Sequence, residues 1–323
     1  MNTLGQWDPV LLRTQDVLFQ EKRDSLDKIY DKYTKKGDSS EADYRSATAI
    51  REFGMMAYTP PSGESHLDQY QMGSEAVVKF NKFSISCVWP EELPQDMKDN
   101  SRTKKDKVKL FTGTASEDFA ESESWTKEVI TADFILRGNS TTATRTWAGT
   151  FRDGLALAST SHVTAKGTPV TWSNLQTAAA MSQLALLEGA KMLASVPTEA
   201  GRPQGAIGDI GIIHGRYNMF RVEELLGAKF TPDVALTANP NPLNMKNEGM
   251  GRFVPILNPY LGETFTGWML VDLKNHKLLR FEKLDGKINS DVEARTGNLI
   301  QRMIMRWAIY ADSAKGVVLN AGV

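Results

Sequence analysis

The sequence contains almost nothing that could form a disulfide or attach the chain to a membrane. Its single cysteine, Cys87, excludes an intrachain disulfide. The segment FSISCVWP around it alternates apolar and polar residues, which predicts a half-buried strand and a structural thiol. No apolar run approaches the roughly 18 residues that a membrane span needs, and the N-terminal residues lack the pattern of a signal peptide. We therefore expect a protein made and kept in cytosol-like conditions, without a membrane partner.

Net charge is also nearly absent. The 323 residues include 38 basic and 39 acidic side chains, a formal net charge of −1. A chain with this balance has no general attraction to the phosphate backbone, which dominates affinity for nucleic acids. Any contact with DNA or RNA must therefore be local or passive. The hydrophobic fraction of 41% is ample for one large core or two smaller ones, which excludes disorder of the whole chain.

Signatures of metal and nucleotide binding are missing as well. The histidines lie far apart, without the short paired spacing of zinc ligands: His66, His162, His214 and His276. The glycine-rich segment GRPQGAIGDIGIIHG, residues 201–215, precedes a predicted strand and has no lysine in its loop, unlike a phosphate-binding loop. We expect no metal site and no cofactor.

One segment has the residue types of a hydrolase. Ser159, Thr160, Ser161 and His162 are consecutive, but neither serine has the glycines two residues to either side that form a nucleophile elbow. In extended chain, Ser161 and His162 point to opposite faces, so His162 is poorly placed as a base. We interpret the segment as structural and expect no catalytic residues, with a serine hydrolase as the alternative.

The N-terminal third contains two segments that are expected to pack against another surface. Apolar residues recur at helical spacing from Pro9 to Tyr33 among many charges, which predicts an amphipathic helix or helix pair lying on another surface. Residues 52–88 then resemble two strands flanking a long excursion rich in proline, methionine and tyrosine. Such an excursion needs a packing partner, which a neighbouring subunit can supply.

The rest of the chain mixes helices and strands in an α+β order. Residues 114–137 predict a long helix, capped by Thr114 or Ser116 and acidic in its first turns, that follows a basic linker. Residues 298–320 alternate apolar and basic side chains, which favours a long strand, with a helix as the close rival. The strands do not follow the regular βαβ order of nucleotide-binding sheets.

Five segments resemble the major capsid protein of tailed double-stranded-DNA bacteriophages, which has the Hong Kong 97 fold, and especially its Mu-like head-subunit kind. In chain order they are LLRTQDVLFQEKRDSLDKIYDKY, VVKFNKFSISCVWPEELPQDM, FRDGLALASTSHVTAKGTPVTWSN, GRFVPILNPYLGETFTGWMLVDL and RMIMRWAIYADSAKGVVLNAGV. The fourth contains a turn of Asn258, Pro259, Tyr260 and Leu261, followed by Trp268. Together the segments cover nearly the whole chain in the family's order.

The resemblance implies a division of the chain into five parts. They are an N-terminal arm (1–51), an extended loop (52–82), a peripheral domain (83–171) that includes the spine helix (114–137), an axial domain near a local symmetry axis (172–288), and C-terminal strands of the peripheral domain (289–323). The arm and the loop would reach across neighbouring subunits.

The resemblance also implies a function and partners. The chain would assemble with itself into hexamers and pentamers of an icosahedral head, in the host cytoplasm, and would end in the virion. A separate scaffolding protein, a portal and in some cases a decoration protein would join it, and the packaged double-stranded DNA would be contained non-specifically. The isopeptide cross-link of some relatives is not expected, because residues 55–73 contain no lysine.

The residues expected at subunit contacts lie on the arm, the loop and the last long strand: Leu18, Phe19, Tyr30, Tyr33, Met55, Met56, Tyr58, Tyr70, Arg302 and Arg306. The two arginines are expected to pair with carboxylates of other subunits. Besides the hydrolase, two alternatives remain open, namely the shell of a protein nanocompartment with the same fold and a minor structural or adaptor protein of a virion.

Overall fold

The computed structural model shows an α+β molecule with four α-helices and two main sheets among its described residues. The helices are α1 (Pro9–Ser25), α2 (Thr103–Leu136), α3 (Gln183–Ser195) and α4 (Met219–Gly227). The strands are β1 (Lys35–Lys36), β2 (Tyr44–Ile50), β3 (Met72–Lys79), β4 (Asn81–Trp89), β5 (His162–Val163), β6 (Thr171–Trp172), β7 (Leu175–Gln176), β8 (Ile210–His214), β9 (Phe253–Leu257), β10 (Trp268–Asp272), β11 (Lys277–Val292), β12 (Leu299–Ser313) and β13 (Val317–Asn320). The structure describes residues 9–37, 44–50, 72–90, 103–140, 154–164, 170–198, 207–229, 241–244, 251–293 and 295–323.

The first sheet is built on a long antiparallel hairpin of β11 and β12, with the order β1-β11-β12-β4. Gly297 has a positive φ of 73° in the turn that joins the two long strands. Along β12, Met303, Met305 and Trp307 are buried while Arg302 on the opposite face is exposed. The segment is therefore a strand, as its alternation predicts, because each face of a strand meets a different environment.

The second sheet has the order β7-β13-β10-β8-β9 and lies in the interior. Every residue of β8 and β10 is buried, which explains why these strands read as continuous apolar runs rather than as alternating ones. Ser182 begins α3 by accepting a hydrogen bond from the backbone amide of Ala185. Leu186 and Leu193 on this helix pack on one face of the sheet, and Phe134 and Ile135 of α2 belong to the core on the other.

Helix α2 begins earlier than predicted. It starts at Thr103 rather than at residue 114, so the basic segment expected as a linker forms its first turns. Lysine is a good helix former, and no proline lies between residues 103 and 136 to interrupt the helix. Its 34 residues give a length of about 51 Å. Thr114 and Ser116, expected as caps, lie inside the helix.

The N-terminal arm is docked on its own subunit. Phe19 of α1 packs with Phe119 and Ala120 of α2 and with Met303 of β12. After α1, a short 3-10 helix (Ile29–Lys32) leads into β1, which pairs in parallel with β11. The surface that orders this amphipathic segment is therefore supplied within the chain.

Strands lie on both sides of the predicted excursion, although the first of them, β2, ends at Ile50, before the range 52–88 in which it was predicted. β2 and β3 form an antiparallel pair, and β3 continues into β4 through one residue, Phe80. Phe80 is buried with Val78, Phe281 and Ala308, so it fixes the point at which the β2–β3 hairpin leaves the sheet. The tip between the two strands, with Met55, Met56, Tyr58 and Tyr70, lies outside the described residues.

The two sheets do not divide at one point in the sequence. The predicted boundary at residue 288 falls within β11, and β13 from the C-terminal segment joins the interior sheet by pairing with β10. Both sheets share one core with α2 and the arm, in which Tyr30, Trp307, Met269 and Val317 are all buried.

Candidate functional site

The serine-rich segment is a structural junction. The ring of His162 is fully buried, its Nε2 lies 3.2 Å from the carbonyl oxygen of Leu157, and it stacks on Trp172 with 4.7 Å between ring centroids. Ser161 is exposed, and its hydroxyl lies 3.3 Å from that of Ser159. The two side chains thus lie on opposite faces, as predicted, and the serine hydroxyl is not paired with the imidazole.

Asn174 connects this segment to the C-terminus. Its side-chain amide donates to the carbonyl oxygens of Leu157 at 2.8 Å and Ala314 at 3.3 Å, and its Oδ1 accepts from the amide of Ser159 at 2.8 Å. Its own carbonyl accepts from the amide of Leu319. One buried side chain thus satisfies three backbone groups and holds residues 157–159 against the chain near Ala314.

The described end of the glycine-rich segment before β8, at Gly208, shares a carboxylate of the chain itself with the turn after β10. Asp272 Oδ1 accepts from the backbone amides of Gly208, Lys274 and Asn275 at 3.0 to 3.2 Å. These amides are therefore committed within the fold rather than turned toward a phosphate. Within the described ranges, no group of three or more His, Cys, Asp or Glu side chains could hold a metal ion.

The other two described histidines, His214 and His276, and the cysteine are structural. Burial lowers the pKa of His214, whose Nδ1 lies 3.0 Å from the carbonyl of Gly215. Burial and the nearby Lys35 lower the pKa of His276 to about 4. Burial raises the pKa of Cys87, which agrees with a structural thiol rather than a reactive one. None of the described helices is long and apolar enough to cross a membrane.

The most specific polar arrangement joins the arm to helix α2. Oε1 of Glu128 accepts hydrogen bonds from the backbone amides of Ile29 at 2.6 Å and Tyr30 at 3.3 Å, so it caps the 3-10 helix of the arm. Its Oε2 is buried and has no hydrogen-bond partner among the described residues. Burial raises the pKa of Glu128 to about 7, although the two amides act in the opposite direction.

Two tyrosines complete this attachment of the arm to the body, which we call the anchor. Tyr30 packs edge-on against Trp307, with 6.3 Å between ring centroids, and the guanidinium of Arg280 lies 5.2 Å above the Tyr30 ring. Tyr33 is 1% exposed and its hydroxyl accepts from Asn258 Nδ2 at 2.9 Å. Asn258 begins the turn of Pro259–Leu261, so the anchor connects the arm to that turn.

A buried ionic cluster lies beside the anchor. Lys127 Nζ is 2.7 Å from Glu123 and 3.0 Å from Glu282 of β11, and Arg23 of α1 is 2.8 Å from Asp285. Burial by itself lowers the pKa of Lys127, but the two carboxylates outweigh it and raise that pKa above its ordinary value. Lys127 in turn holds the pKa of Glu282 below its ordinary value, against the effect of burial. The cluster borders a cleft of about 180 Å³.

Gly286 makes room for this cluster. A Cβ built on Gly286 would lie 2.2 Å from Glu123 Oε2, so a larger residue would displace the carboxylate that pairs with Lys127. Gly286 lies where the register of the β11–β12 hairpin shifts between Leu284 and Lys287. The irregular strand therefore brings a backbone with no side chain over the buried carboxylate.

The predicted subunit-contact residues that the structure describes differ in how far they are buried within the subunit. Phe19, Tyr30 and Tyr33 are buried inside the subunit, and Leu18 is half-buried on α1. Arg302 is exposed and Arg306 half-buried, on the face of the first sheet that lies away from α1 and α2. Contacts of these residues with another subunit remain a prediction.

Sequence reasoning missed the anchor and the cluster. Glu123 and Lys127 are spaced i, i+4, and Glu128 lies beside the apolar stripe of α2. A charged pair at this spacing on the packed side of a helix is the signal that could have found them. Their partners, at residues 29, 30 and 282, are too distant in sequence to infer.

Comparison with known proteins identifies the fold. Scans against models of protein families and against curated protein sequences give no significant match. Among solved structures, the capsid of a native GTA particle matches with a TM-score of 0.53 and 10% identity, covering 92% of this chain and 90% of that one. The procapsid of bacteriophage JBD30 matches with a TM-score of 0.50 and 11% identity, covering 97% and 76%. The chain has the α+β, Hong Kong 97-type capsid fold expected from its sequence.

Proposed function

We propose that this chain is the major subunit of a phage head shell, which assembles into hexamers and pentamers around double-stranded DNA. The observation that carries the proposal is the match of nearly the whole chain, 92% and 97%, to the capsid of a GTA particle and the procapsid of a bacteriophage. A shared fold alone does not fix function, so the chain's own features must support the step.

The chain's architecture suits a shell subunit. A continuous core joins α2, both sheets and the anchored arm into one body, while the β2–β3 hairpin extends beyond Phe80. A shell needs a stiff body with outward extensions, because its stability is distributed over many contacts between copies. In this arrangement the interior sheet would belong to the axial domain, and α2 with the long hairpin to the peripheral domain.

The charge of the chain agrees with passive containment of DNA. A formal net charge of −1 gives the shell wall little general attraction for phosphate, so packaged DNA could move along it during filling. We further propose that a scaffolding protein, a portal and in some cases a decoration protein join the shell, which forms in the host cytoplasm and remains in the virion. The Mu-like kind of head subunit is proposed on the sequence resemblance. No catalytic role is proposed.

Nuclease protection tests this function. Particles from cells that express the chain with its neighbouring genes are treated with DNase and then extracted. We expect double-stranded DNA of uniform length inside particles composed mainly of this chain. Particles that protect protein cargo instead of DNA would indicate a nanocompartment, and particles in which the chain is a minor component would indicate an adaptor role; either result overturns the proposal.

A further inference from the structure

The chain between helix α1 and strand β1 is held on the body by contacts of its own. Before it, Phe19 of α1 packs on Phe119 of α2 and Met303 of β12. After it, β1 pairs with β11. Residues 29–34, which we call the arm segment, therefore lie between two points that are fixed independently. The arm segment can separate from the body by a local opening, without unfolding of the rest of the chain.

Glu128 is the polar group on which the arm segment is docked. Its Oε1 lies 2.6 Å from the backbone nitrogen of Ile29 and 3.3 Å from that of Tyr30, two donors at the start of a helix that have no partner within the helix. Glu128 is 2% exposed, and no described residue forms a hydrogen bond with its Oε2. The docked arm thus removes the carboxyl group from water while it satisfies only one of the two oxygens.

Two like charges near this carboxyl group belong to the arm itself. Asp27 and Asp31 both disfavour ionisation of Glu128. Lys32 pairs with Asp27 at 3.0 Å, and Arg280 of β11 pairs with the second aspartate, so each is partly compensated. Ionisation of Glu128 adds a third carboxylate at a place where the arm carries the other two. Separation of the arm segment from α2 relieves this repulsion and returns the carboxylate to water.

The side chains of the body around Glu128 keep their charge in the neutral pH range. Burial and the charge of Glu128 raise the pKa of Tyr33 and that of Tyr260, so both phenols stay neutral. Burial opposes the charge of Lys127, but its carboxylate partners raise its pKa and it stays charged. Burial lowers the pKa of His276, beside β1, to about 4, so its ring is neutral above pH 5. Among these groups, Glu128 is the one that changes its charge between pH 5 and pH 8.

We propose that the attachment of the arm is a proton-sensitive device, in which the arm segment is docked while Glu128 is neutral and opens when Glu128 ionises. Tyr30 and Tyr33 are 3% and 1% exposed in the docked state, so opening uncovers two aromatic side chains and makes them available to another surface. The inference goes beyond the shell function and does not depend on it, because the device lies within one subunit.

The direction of the response follows from linkage. Burial raises the pKa of Glu128 to about 7, whereas the opened segment exposes the carboxyl group to water and restores its ordinary pKa of 4.5. Opening therefore releases a proton in the range between these values, and the open fraction rises with pH. The increase in the opening equilibrium from pH 5 to pH 8 is on the order of fiftyfold.

Native-state hydrogen exchange of the unassembled full chain measures this opening. Amides that exchange through a local opening keep the same protection at low urea concentrations, whereas amides that exchange through global unfolding lose protection as urea is added. The amides of Tyr33 and Thr34 report on the arm segment, because both donate to the carbonyl of Tyr30. We expect their urea-independent protection to fall on the order of fiftyfold from pH 5 to pH 8, after correction for the intrinsic exchange rate.

Three variants assign the effect to Glu128. Glu128→Gln keeps an oxygen that can accept the two hydrogen bonds but cannot ionise, so its protection should change less than about threefold over the same range. Glu117→Gln, on an exposed carboxylate of the same helix, is the matched control and should keep the wild-type change. Asp27→Asn leaves the buried carboxyl group in place and removes an exposed like charge, so the midpoint of the change should move to lower pH.

Four results would overturn the proposal. Protection of the arm segment equal to that of β8 and β10 at pH 8 would show that the arm opens only when the chain unfolds. A wild-type pH response in Glu128→Gln would assign the effect to another group, and an unchanged midpoint in Asp27→Asn would remove the role of the arm charges. Protection that rises with pH would show that the ionised form favours docking. None of these results bears on the shell function, because assembly is not measured.

Discussion

Glu128 shows how one buried carboxyl group determines the attachment of the arm. Its Oε1 accepts two backbone hydrogen bonds from the arm. Its Oε2 has no hydrogen-bond partner in the part of the chain that the structure describes, and Asp27 and Asp31 lie nearby. The ionised form is thus favoured by two amides and opposed by burial and by two like charges. Because burial outweighs the amides, ionisation of this group has a cost in the folded state.

We expect ionisation of Glu128 to reduce the stability of the unassembled subunit as pH rises, while the lowered pKa values of His214 and His276 act in the opposite direction. The pKa of Glu128 is about 7 in the folded protein against an ordinary value of 4.5, so the folded state binds more protons between these values. The neutral form stabilises the fold below about pH 4.5, and this stabilisation is lost as pH rises through about 7. The loss from this group is at most about 3 kcal/mol.

Urea unfolding between pH 5 and pH 8 measures the effect. Glu128→Gln keeps an acceptor oxygen and removes the titration, so its free energy of unfolding minus that of the wild type should increase as pH rises from 5 to 8. Glu224→Gln, on an exposed carboxylate of α4, is the control and should keep the wild-type slope. Equal slopes for Glu128→Gln and the wild type would refute this role.

Lys127 supports a second expectation at the residue scale. Lys127→Met leaves Glu123, which is 1% exposed, beside Glu282 without the cation between them. An uncompensated buried charge typically costs about 3 kcal/mol or more, so the variant should unfold at clearly lower urea concentration. Adding Glu123→Gln should recover part of the loss, because it removes the stranded charge. Lys191→Met, on the exposed surface of α3, is the control. A Lys127→Met variant as stable as this control would contradict the role of the cluster.

Among the secondary-structure elements, the connection between β3 and β4 at Phe80, which we call the joint, determines the direction in which the β2–β3 hairpin leaves the sheet. The two strands pair with each other, while β4 pairs with β12, so Phe80 is the connection between the hairpin and the sheet. Its ring is 7% exposed and packs with Val78, Phe281 and Ala308. The direction of the hairpin therefore depends on a small apolar cluster.

We expect Phe80→Ala to loosen the hairpin more than the body. A large-to-small change in a buried aromatic costs about 3 to 5 kcal/mol, and the loss here falls on the connection between β3 and β4. Hydrogen exchange should accelerate in β2 and β3 while β8 and β10 keep their protection. Ile85→Ala, on a residue of β4 that is 43% exposed, is the matched control. Unchanged hydrogen exchange in β2 and β3 would refute the role of Phe80 in holding the hairpin.

The same elements show what the sequence could predict. The alternation along β12 identified it as a strand with one apolar face, because every second residue of a strand lies on the same face and meets the same environment. The start of α2 could not be found in this way, since its lysine-rich first turns carry no continuous apolar stripe. The position of β13 in the interior sheet and the capping of residues 29 and 30 by Glu128 depend on contacts between distant parts of the chain, which local patterns do not contain.

For the molecule as a whole, the distribution of charge over the surface says more about its partners than the total charge does. The chain is nearly neutral, yet one face of the first sheet has four basic residues, Lys82, Lys287, Arg302 and Arg306, and one acidic residue, Asp291. A distribution of this kind favours oriented association of identical copies over general attraction to other molecules. This distribution agrees with the proposal that the chain is the subunit of a closed shell.

The measurement that tests this claim most directly is sedimentation combined with negative-stain imaging of the purified wild-type chain, expressed alone and with its neighbouring genes. The account predicts closed shells, or rings of five or six subunits, in at least one of these preparations. A stable monomer in both would contradict it.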